Sequence, residues 1–104
     1  KTSELSMDKI DHIAIQTKNI NESVIWYTKT FSCDVLFQDK TWALLEFNNI
    51  KLALVVPEQH PPHIAVKRRN LEKYGNPVKH RDGSESVYIN SPDKNVFELI
   101  RYPE

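Results

Sequence analysis

The chain has 104 residues, with 14 basic and 14 acidic side chains and a formal net charge of zero. Its length fits one compact domain, and 39% hydrophobic residues with only two glycines exclude a disordered or collagen-like chain. Because the charges balance, composition gives no overall field that would attract nucleic acid or a membrane surface. Any charged ligand must therefore be recognised locally.

Cysteine content and hydropathy bear on the compartment. Cys33 is the single cysteine, so an internal disulfide is impossible and a reducing environment is favoured. No apolar run approaches the roughly 20 residues that cross a membrane. We expect a cytoplasmic protein without a membrane span.

The first half of the chain predicts one β-α-β-β-β module. Alternating apolar residues predict a strand at 9–17. Asn19 stands three residues before Glu22, which is the spacing of a helix N-cap, and apolar residues at helical intervals predict a helix at 20–31. Three β-rich runs follow at 33–38, 41–47 and 50–56, separated by short polar turns. This module spans about residues 9–56.

The second half predicts the same order of elements. Three prolines mark 57–62 as a linker, and the sequence HIAV at 63–66 then repeats HIAI at 12–15. A short helix is expected at 70–74, ending before Gly75, and strands are expected at 78–81, 85–90 and 95–102. The second module therefore covers about 63–103, with a short second helix.

Three polar residues share one position relative to the bulky residues of their strands. Adjacent side chains of a strand point to opposite faces, so His12, His63 and Glu98 lie opposite their large apolar neighbours. If these strands line one concavity, they supply two imidazole nitrogens and a carboxylate oxygen. That set suits Zn, Mn, Ni, Co or Fe and leaves coordination positions open for water or substrate.

Simpler interpretations stand beside this one. A strand histidine is more often a surface or hydrogen-bonded residue than a metal ligand. His60 competes with His63, although it lies among prolines, and His80 is interpreted as a solvated residue of a charged stretch. Trp42 is most simply a cross-strand packing residue.

Four segments resemble the vicinal oxygen chelate superfamily, which includes glyoxalases, bleomycin resistance proteins and extradiol dioxygenases. They are IDHIAI at 10–15, NINES at 19–23 followed by WY at 26–27, HIAV at 63–66 and SVYINSPDKNVFEL at 86–99. The last is the most specific, and the resemblance covers a single domain at 7–104. It implies an α+β fold of two βαβββ modules that form a U-shaped mixed sheet, with helices on the convex face, and it implies a homodimer.

The resemblance also implies ligand positions. The first-strand, fifth-strand and eighth-strand ligands of the family fall on His12, His63 and Glu98. A fourth position, where many glyoxalase-like members carry a carboxylate, falls on Ala53, and alanine cannot bind a metal. The implied centre therefore has three protein ligands.

Substrate contacts are implied at Ser86 and Tyr88, which are similar to a Ser-x-Tyr that contacts substrate oxyanions in the thiol transferases of this superfamily; an ordinary polar strand face is the alternative. The expected function is a small metalloenzyme that binds and polarises vicinal oxygens of a small substrate, of the lyase, isomerase or thiol transferase type. No general base is assigned. The alternative is a metal-free protein that sequesters a drug or metabolite in a cleft, with Trp42 as the aromatic contact. The short second helix is expected to leave apolar surface for a partner subunit.

Overall fold

The structure is a computed structural model and describes residues 7–59 and 61–103. Within these ranges the chain forms one helix and eight strands. The elements are β1 Lys9–Gln16, α1 Ile20–Thr30, β2 Asp34–Gln38, β3 Trp42–Glu46, β4 Lys51–Val55, β5 His63–Lys67, β6 Val78–Lys79, β7 Glu85–Asn90 and β8 Val96–Arg101. No helix in this part of the chain is both long and apolar enough to cross a membrane.

All eight strands belong to one mixed sheet in the order β2-β3-β4-β1-β5-β8-β7-β6. β1 pairs parallel with β4, β5 pairs parallel with β8, and β1 and β5 meet as antiparallel neighbours at the centre. Each half of the chain contributes four strands in an equivalent order. The strand arrangement thus agrees with the predicted pair of modules, joined between their first strands.

Helix α1 forms where the sequence predicts it. The Asn19 side chain caps its first turn by accepting a 3.0 Å hydrogen bond from the Glu22 backbone amide. The helix ends at Thr30, one residue earlier than expected. Its apolar side, including Ile20 and Val24, packs on a buried cluster that covers one face of the sheet. This cluster also contains Ala43, Leu45 and Leu54.

The predicted second helix at 70–74 does not form, so that prediction is wrong and α1 is the one helix in the described part of the chain. The connection between β5 and β6 makes a turn instead, in which the Tyr74 amide donates to the Leu71 carbonyl at 2.8 Å. A segment this short cannot offset the cost of nucleating a helix. Leu71 is fully buried against Val87 and Leu99, and Tyr74 packs beside them. The sheet face that was expected to be bare is therefore covered in part.

Strand β6 is shorter than the expected strand at 78–81. After Lys79 the backbone turns back: the His80 amide donates to the Ser84 carbonyl at 2.8 Å, and the Gly83 amide donates to the His80 carbonyl at 3.0 Å. Gly83 has a φ of 89°, which a residue without a side chain adopts at least cost. Residues 80–84 thus form a tight turn, and this turn lies beside the site described next.

Candidate metal centre

The repeated HIA sequence brings two histidines together at the junction of the modules. Across the β1–β5 pair, His12 lies opposite Ala65 and His63 lies opposite Ala14. Each imidazole therefore has a small methyl group as its direct cross-strand neighbour, which leaves space for the ring. Glu98 on β8 is the next neighbour of Ala65, so all three polar side chains reach the same sheet face.

The three side chains converge closely. Glu98 Oε1 lies 3.5 Å from His12 Nε2 and 3.2 Å from His63 Nε2, and one potential ligand atom from each residue lies within 4.8 Å of the others. His63 and Glu98 are buried, and His12 is half-buried. The three residues therefore lie on one face of the sheet, as the sequence predicts. Their role as metal ligands stays a prediction.

Both imidazoles are held by their other nitrogen. His12 Nδ1 donates to Asp11 Oδ2 at 2.8 Å, and His63 Nδ1 donates to the Pro61 carbonyl at 3.1 Å, because a carboxylate and a carbonyl can only accept. Each Nε2 is therefore left to face Glu98. Outer contacts of this kind fix the tautomer and orientation of metal-binding histidines, so the donor set fits a divalent cation.

Asp11 was not foreseen as a site residue. Strict alternation places it on the face opposite His12, but the register between β1 and β5 shifts between Ile10 and His12, and both Asp11 and His12 line the same pocket. The buried Asp11 carboxylate also accepts a 2.7 Å hydrogen bond from the Tyr102 hydroxyl, and Lys51 Nζ lies 3.5 Å from it. An acidic residue directly before a candidate ligand was the signal available in the sequence.

Charges in this network shift the pKa values of its members. Burial alone would lower the pKa of His12, but hydrogen bonds and charges from Asp11 and Glu98 outweigh burial and raise the pKa to about 9. Burial alone would raise the pKa of both carboxyls. His12 and His63 nevertheless hold the pKa of Glu98 well below its ordinary value. Hydrogen bonds from His12 and Tyr102, together with the charge of Lys51, lower the pKa of Asp11 to about 2. Without a metal, the centre is an imidazolium between two carboxylates.

A pocket of about 400 Å³ opens beside the three side chains. Part of its lining is apolar. This part includes Trp42, Leu44, Ala53, Val55 and Ile100. The polar remainder surrounds His12, His63 and Glu98, so a small ligand in the pocket would meet the triad and an apolar wall together.

No family model and no curated protein matches the sequence. Solved structures do match, and one is a glyoxalase/bleomycin resistance protein/dioxygenase superfamily member from Vibrio splendidus 12B01, with a TM-score of 0.71 at 10% identity over 91% of this chain and 99% of that chain. This chain has the vicinal oxygen chelate fold.

Two further structures share the vicinal oxygen chelate fold seen here. Methylmalonyl-CoA epimerase from Streptomyces coelicolor, in complex with 2-nitronate-propionyl-CoA, matches with a TM-score of 0.75 at 19% identity, covering 95% of this chain and 100% of that chain. A hypothetical protein from Bacillus halodurans C-125 matches with a TM-score of 0.77 at 19% identity, covering 95% and 97%. The TM-scores establish a shared architecture, but sequence identities this low say nothing about a shared reaction.

Within the vicinal oxygen chelate fold of this chain, Ala53 stands at the position equivalent to Glu98. Ala53 on β4 is the parallel partner of Ala14, just as Glu98 on β8 is the parallel partner of Ala65. Ala53 is buried and lines the pocket, so the expected orientation of this residue agrees with the structure. Its methyl group supplies no ligand, and within residues 7–59 and 61–103 the centre has three candidate protein ligands.

The predicted substrate contacts occupy different environments. Tyr88 lines the pocket, and its ring lies 5.8 Å from the His63 ring. Burial and the neighbouring Glu98 raise the pKa of Tyr88 to about 12, so its hydroxyl remains a donor at neutral pH. Trp42 lines the pocket and also stacks on Phe37 with ring centroids 4.7 Å apart, which combines its two expected roles.

Ser86 is fully buried, and it contacts a residue that was interpreted differently from sequence. His80 Nε2 lies 2.6 Å from Ser86 Oγ and 3.8 Å from Glu98 Oε2, and His80 lines the pocket. His80 keeps a side chain that is 36% exposed and lies outside the triad, but the 80–84 turn directs its ring toward the site, a contact that the sequence did not indicate. His60, the alternative to His63, lies outside the described residues.

Proposed function

We propose that this protein is a metal-dependent enzyme that binds a small substrate through two neighbouring oxygens, with chemistry of the lyase, isomerase or transferase type. The observation that carries the proposal is the convergence of His12, His63 and Glu98, with both imidazoles already oriented by Asp11 and Pro61. An epimerase with the same fold supports the isomerase end of this range.

The chain supplies most of what such a reaction needs around the metal. A divalent ion held by His12, His63 and Glu98 would stabilise negative charge that develops on a substrate oxygen. Tyr88, whose hydroxyl stays protonated, lines the same pocket beside the His63 ring, and it would donate a hydrogen bond to that oxygen in place of its present one to Glu98. Trp42 belongs to the apolar wall, which would keep water from a bound substrate.

Elemental analysis of protein purified without a metal-affinity step tests the proposal. We expect a stoichiometric divalent metal in the unaltered chain and loss of most of it in His63→Ala, because removing one of three ligands leaves an incomplete set. His80→Ala is the matched control, since it removes an imidazole that lies near Glu98 but outside the triad.

Two results would contradict the ligand assignment. Full metal content in His63→Ala removes this residue from the centre. Loss of metal in His60→Ala combined with retention in His63→Ala moves the ligand upstream. Circular dichroism of each variant establishes that the sheet is intact.

The apolar pocket wall favours a second candidate, a metal-free protein that sequesters a small molecule. Trp42 stacked on Phe37 presents a flat aromatic surface at this wall. Such a protein would be metal-free as purified, and Trp42→Ala would weaken ligand binding more than Glu98→Gln. The elemental analysis therefore separates the two candidates.

A further inference from the structure

A second concavity, of about 930 Å³, continues from the pocket along the sheet. Ile100 and Tyr102 line both, so the two spaces share a border. The second concavity, which we call the basic groove, is rich in cationic side chains. These are Lys9, Lys67, Arg68, Arg69, Lys79 and Arg101.

The acidic residues of the basic groove do not neutralise this charge. Among the described residues, its lining contains two acids, Asp8 and Glu85, and both are paired: Arg68 Nη1 lies 3.3 Å from Asp8 Oδ2, and Arg101 Nη2 lies 2.9 Å from Glu85 Oε1. Arg101 Nη2 also lies 2.9 Å from Oε2 of Glu72, an acid outside the lining. Lys9 and Lys79 form no salt bridge within the described residues, so the groove keeps an excess of positive charge although the chain as a whole is neutral. The positive charge is thus a local feature.

Two lysines of the groove face each other without a shared anion. Lys9 and Lys67 are direct cross-strand partners in the β1–β5 pair, and both are exposed. Like charges in this position destabilise a sheet. Lys9 forms no salt bridge among the described residues. Lys67 has one long ion pair there, with its Nζ 3.9 Å from Asp11 Oδ1. A multivalent anion that contacted both ammonium groups would relieve this repulsion.

Tyr102 connects the basic groove to the pocket. Lys51, on the pocket side, has its Nζ 5.6 Å from the Tyr102 ring centre, and Lys67, on the groove side, has its Nζ 5.8 Å from the same centre. An extended ligand can therefore pass from the triad over Tyr102 and reach Lys67. The cationic side chains along this route favour negative charge in the part of the ligand that leaves the pocket.

We propose that the substrate carries a multiply charged, phosphate-bearing extension, which lies in the basic groove while the reacting end occupies the pocket. The assignment of the reacting end rests on the proposed function, whereas anion binding in the groove does not. The basic groove belongs to a chain with no net positive charge, which favours a short phosphate group over a polynucleotide.

Inorganic pyrophosphate is the probe, and the protein is tested after a chelator has removed any metal. Calorimetry at low salt should show binding that weakens as salt is added. Lys9→Gln and Lys67→Gln should each weaken binding by roughly 2- to 5-fold, which is the usual size of one lost charge contact at an exposed site. Lys29→Gln, at an exposed lysine of α1, is the matched control and should leave binding unchanged.

Thermal unfolding separates a binding role of the lysines from a structural one. Lys67→Gln should leave the Tm of the free protein unchanged or higher, because a like-charge pair is removed, and should reduce the rise in Tm that pyrophosphate produces. NMR amide shifts on adding pyrophosphate should include Lys9, Lys67 and Tyr102. These shifts would locate the anion beside the entrance to the pocket.

Four results would overturn the proposal. They are absence of pyrophosphate binding at low salt, equal weakening in Lys29→Gln, amide shifts that leave out Tyr102, and tighter binding of a single-stranded oligonucleotide through the same lysines. None of them depends on the metal content of the protein. A metal-free result in the elemental analysis would instead remove the proposed function and leave the anion site standing.

Discussion

His12 occupies its position because the strand that carries it is not regular. The register shift at the start of β1 turns Asp11 onto the pocket face, where its carboxylate accepts a hydrogen bond from His12 Nδ1. The other nitrogen faces Glu98. One extra residue in the strand thus converts a lone histidine into an oriented one with a raised pKa.

The raised pKa of His12 predicts how the stability of the metal-free protein depends on pH. The pKa is about 9 in the folded state against an ordinary 6.5, so protonation favours the folded state. This stabilisation is complete below pH 6.5 and is lost as pH rises to about 9. We expect urea unfolding to give a free energy of unfolding lower by about 1 to 3 kcal/mol at the alkaline end.

His12→Gln is the control for this pH dependence. Glutamine can hydrogen-bond but cannot take up a proton in this range, so the variant should lose most of the decline between pH 6.5 and about 9. An equal decline in the variant would assign the effect to other groups.

The three candidate ligands could be predicted because their strands alternate regularly around them. His63 and Glu98 lie in the regular strands β5 and β8, where neighbouring large residues fix the phase. Asp11 and His80 could not be found in this way. Asp11 lies at a register shift in β1, and His80 begins a turn after a strand of only two residues. Regular alternation of apolar and polar residues therefore does not indicate which way either side chain points.

At the scale of elements, Leu71 covers part of the sheet face on which the second helix was expected to pack. Leu71 is fully buried between the β5–β6 connection and the sheet, against Val87 and Leu99. The connection is held by the Tyr74 amide bond to the Leu71 carbonyl. This segment does contain residues with helical propensity, but it is too short for that propensity to offset the free-energy cost of nucleating a helix.

Leu71→Ala should therefore be strongly destabilising. Removing a buried leucine side chain leaves a cavity, and such changes cost about 2 to 5 kcal/mol. Ile25→Ala, at an exposed isoleucine of α1, is the comparison and should change stability by less than about 0.5 kcal/mol. Denaturant unfolding measures both, and similar values would mean that the turn does not anchor the sheet.

At the scale of the whole molecule, the two-module arrangement could be predicted because the HIA sequence occurs twice. The two copies pair with each other, each histidine opposite the alanine of the other copy. The sheet order on either side of this pair follows from the same repeat. The loss of the second helix could not be foreseen, since it does not disturb the pairing of the strands.

The edge of the sheet bears on the expected homodimer. β2 ends the sheet order and is exposed along its whole length, including Val35, Leu36 and Phe37. An apolar edge strand of this kind favours association. We expect light scattering at tens of micromolar to give a dimer mass and Leu36→Lys to lower it toward a monomer. A monomeric mass for the unaltered chain would contradict the homodimer.

The paired HIA sequences also impose an order of events during synthesis. His12 is translated early and Glu98 late, yet they become neighbours only when β8 pairs with β5. While β8 is still inside the ribosome, the nascent chain presents both imidazoles without the Glu98 carboxylate that lies near them in the folded protein. The three candidate ligands therefore come together only after β8 has been translated, and a chain that stops before β8 carries two of the three.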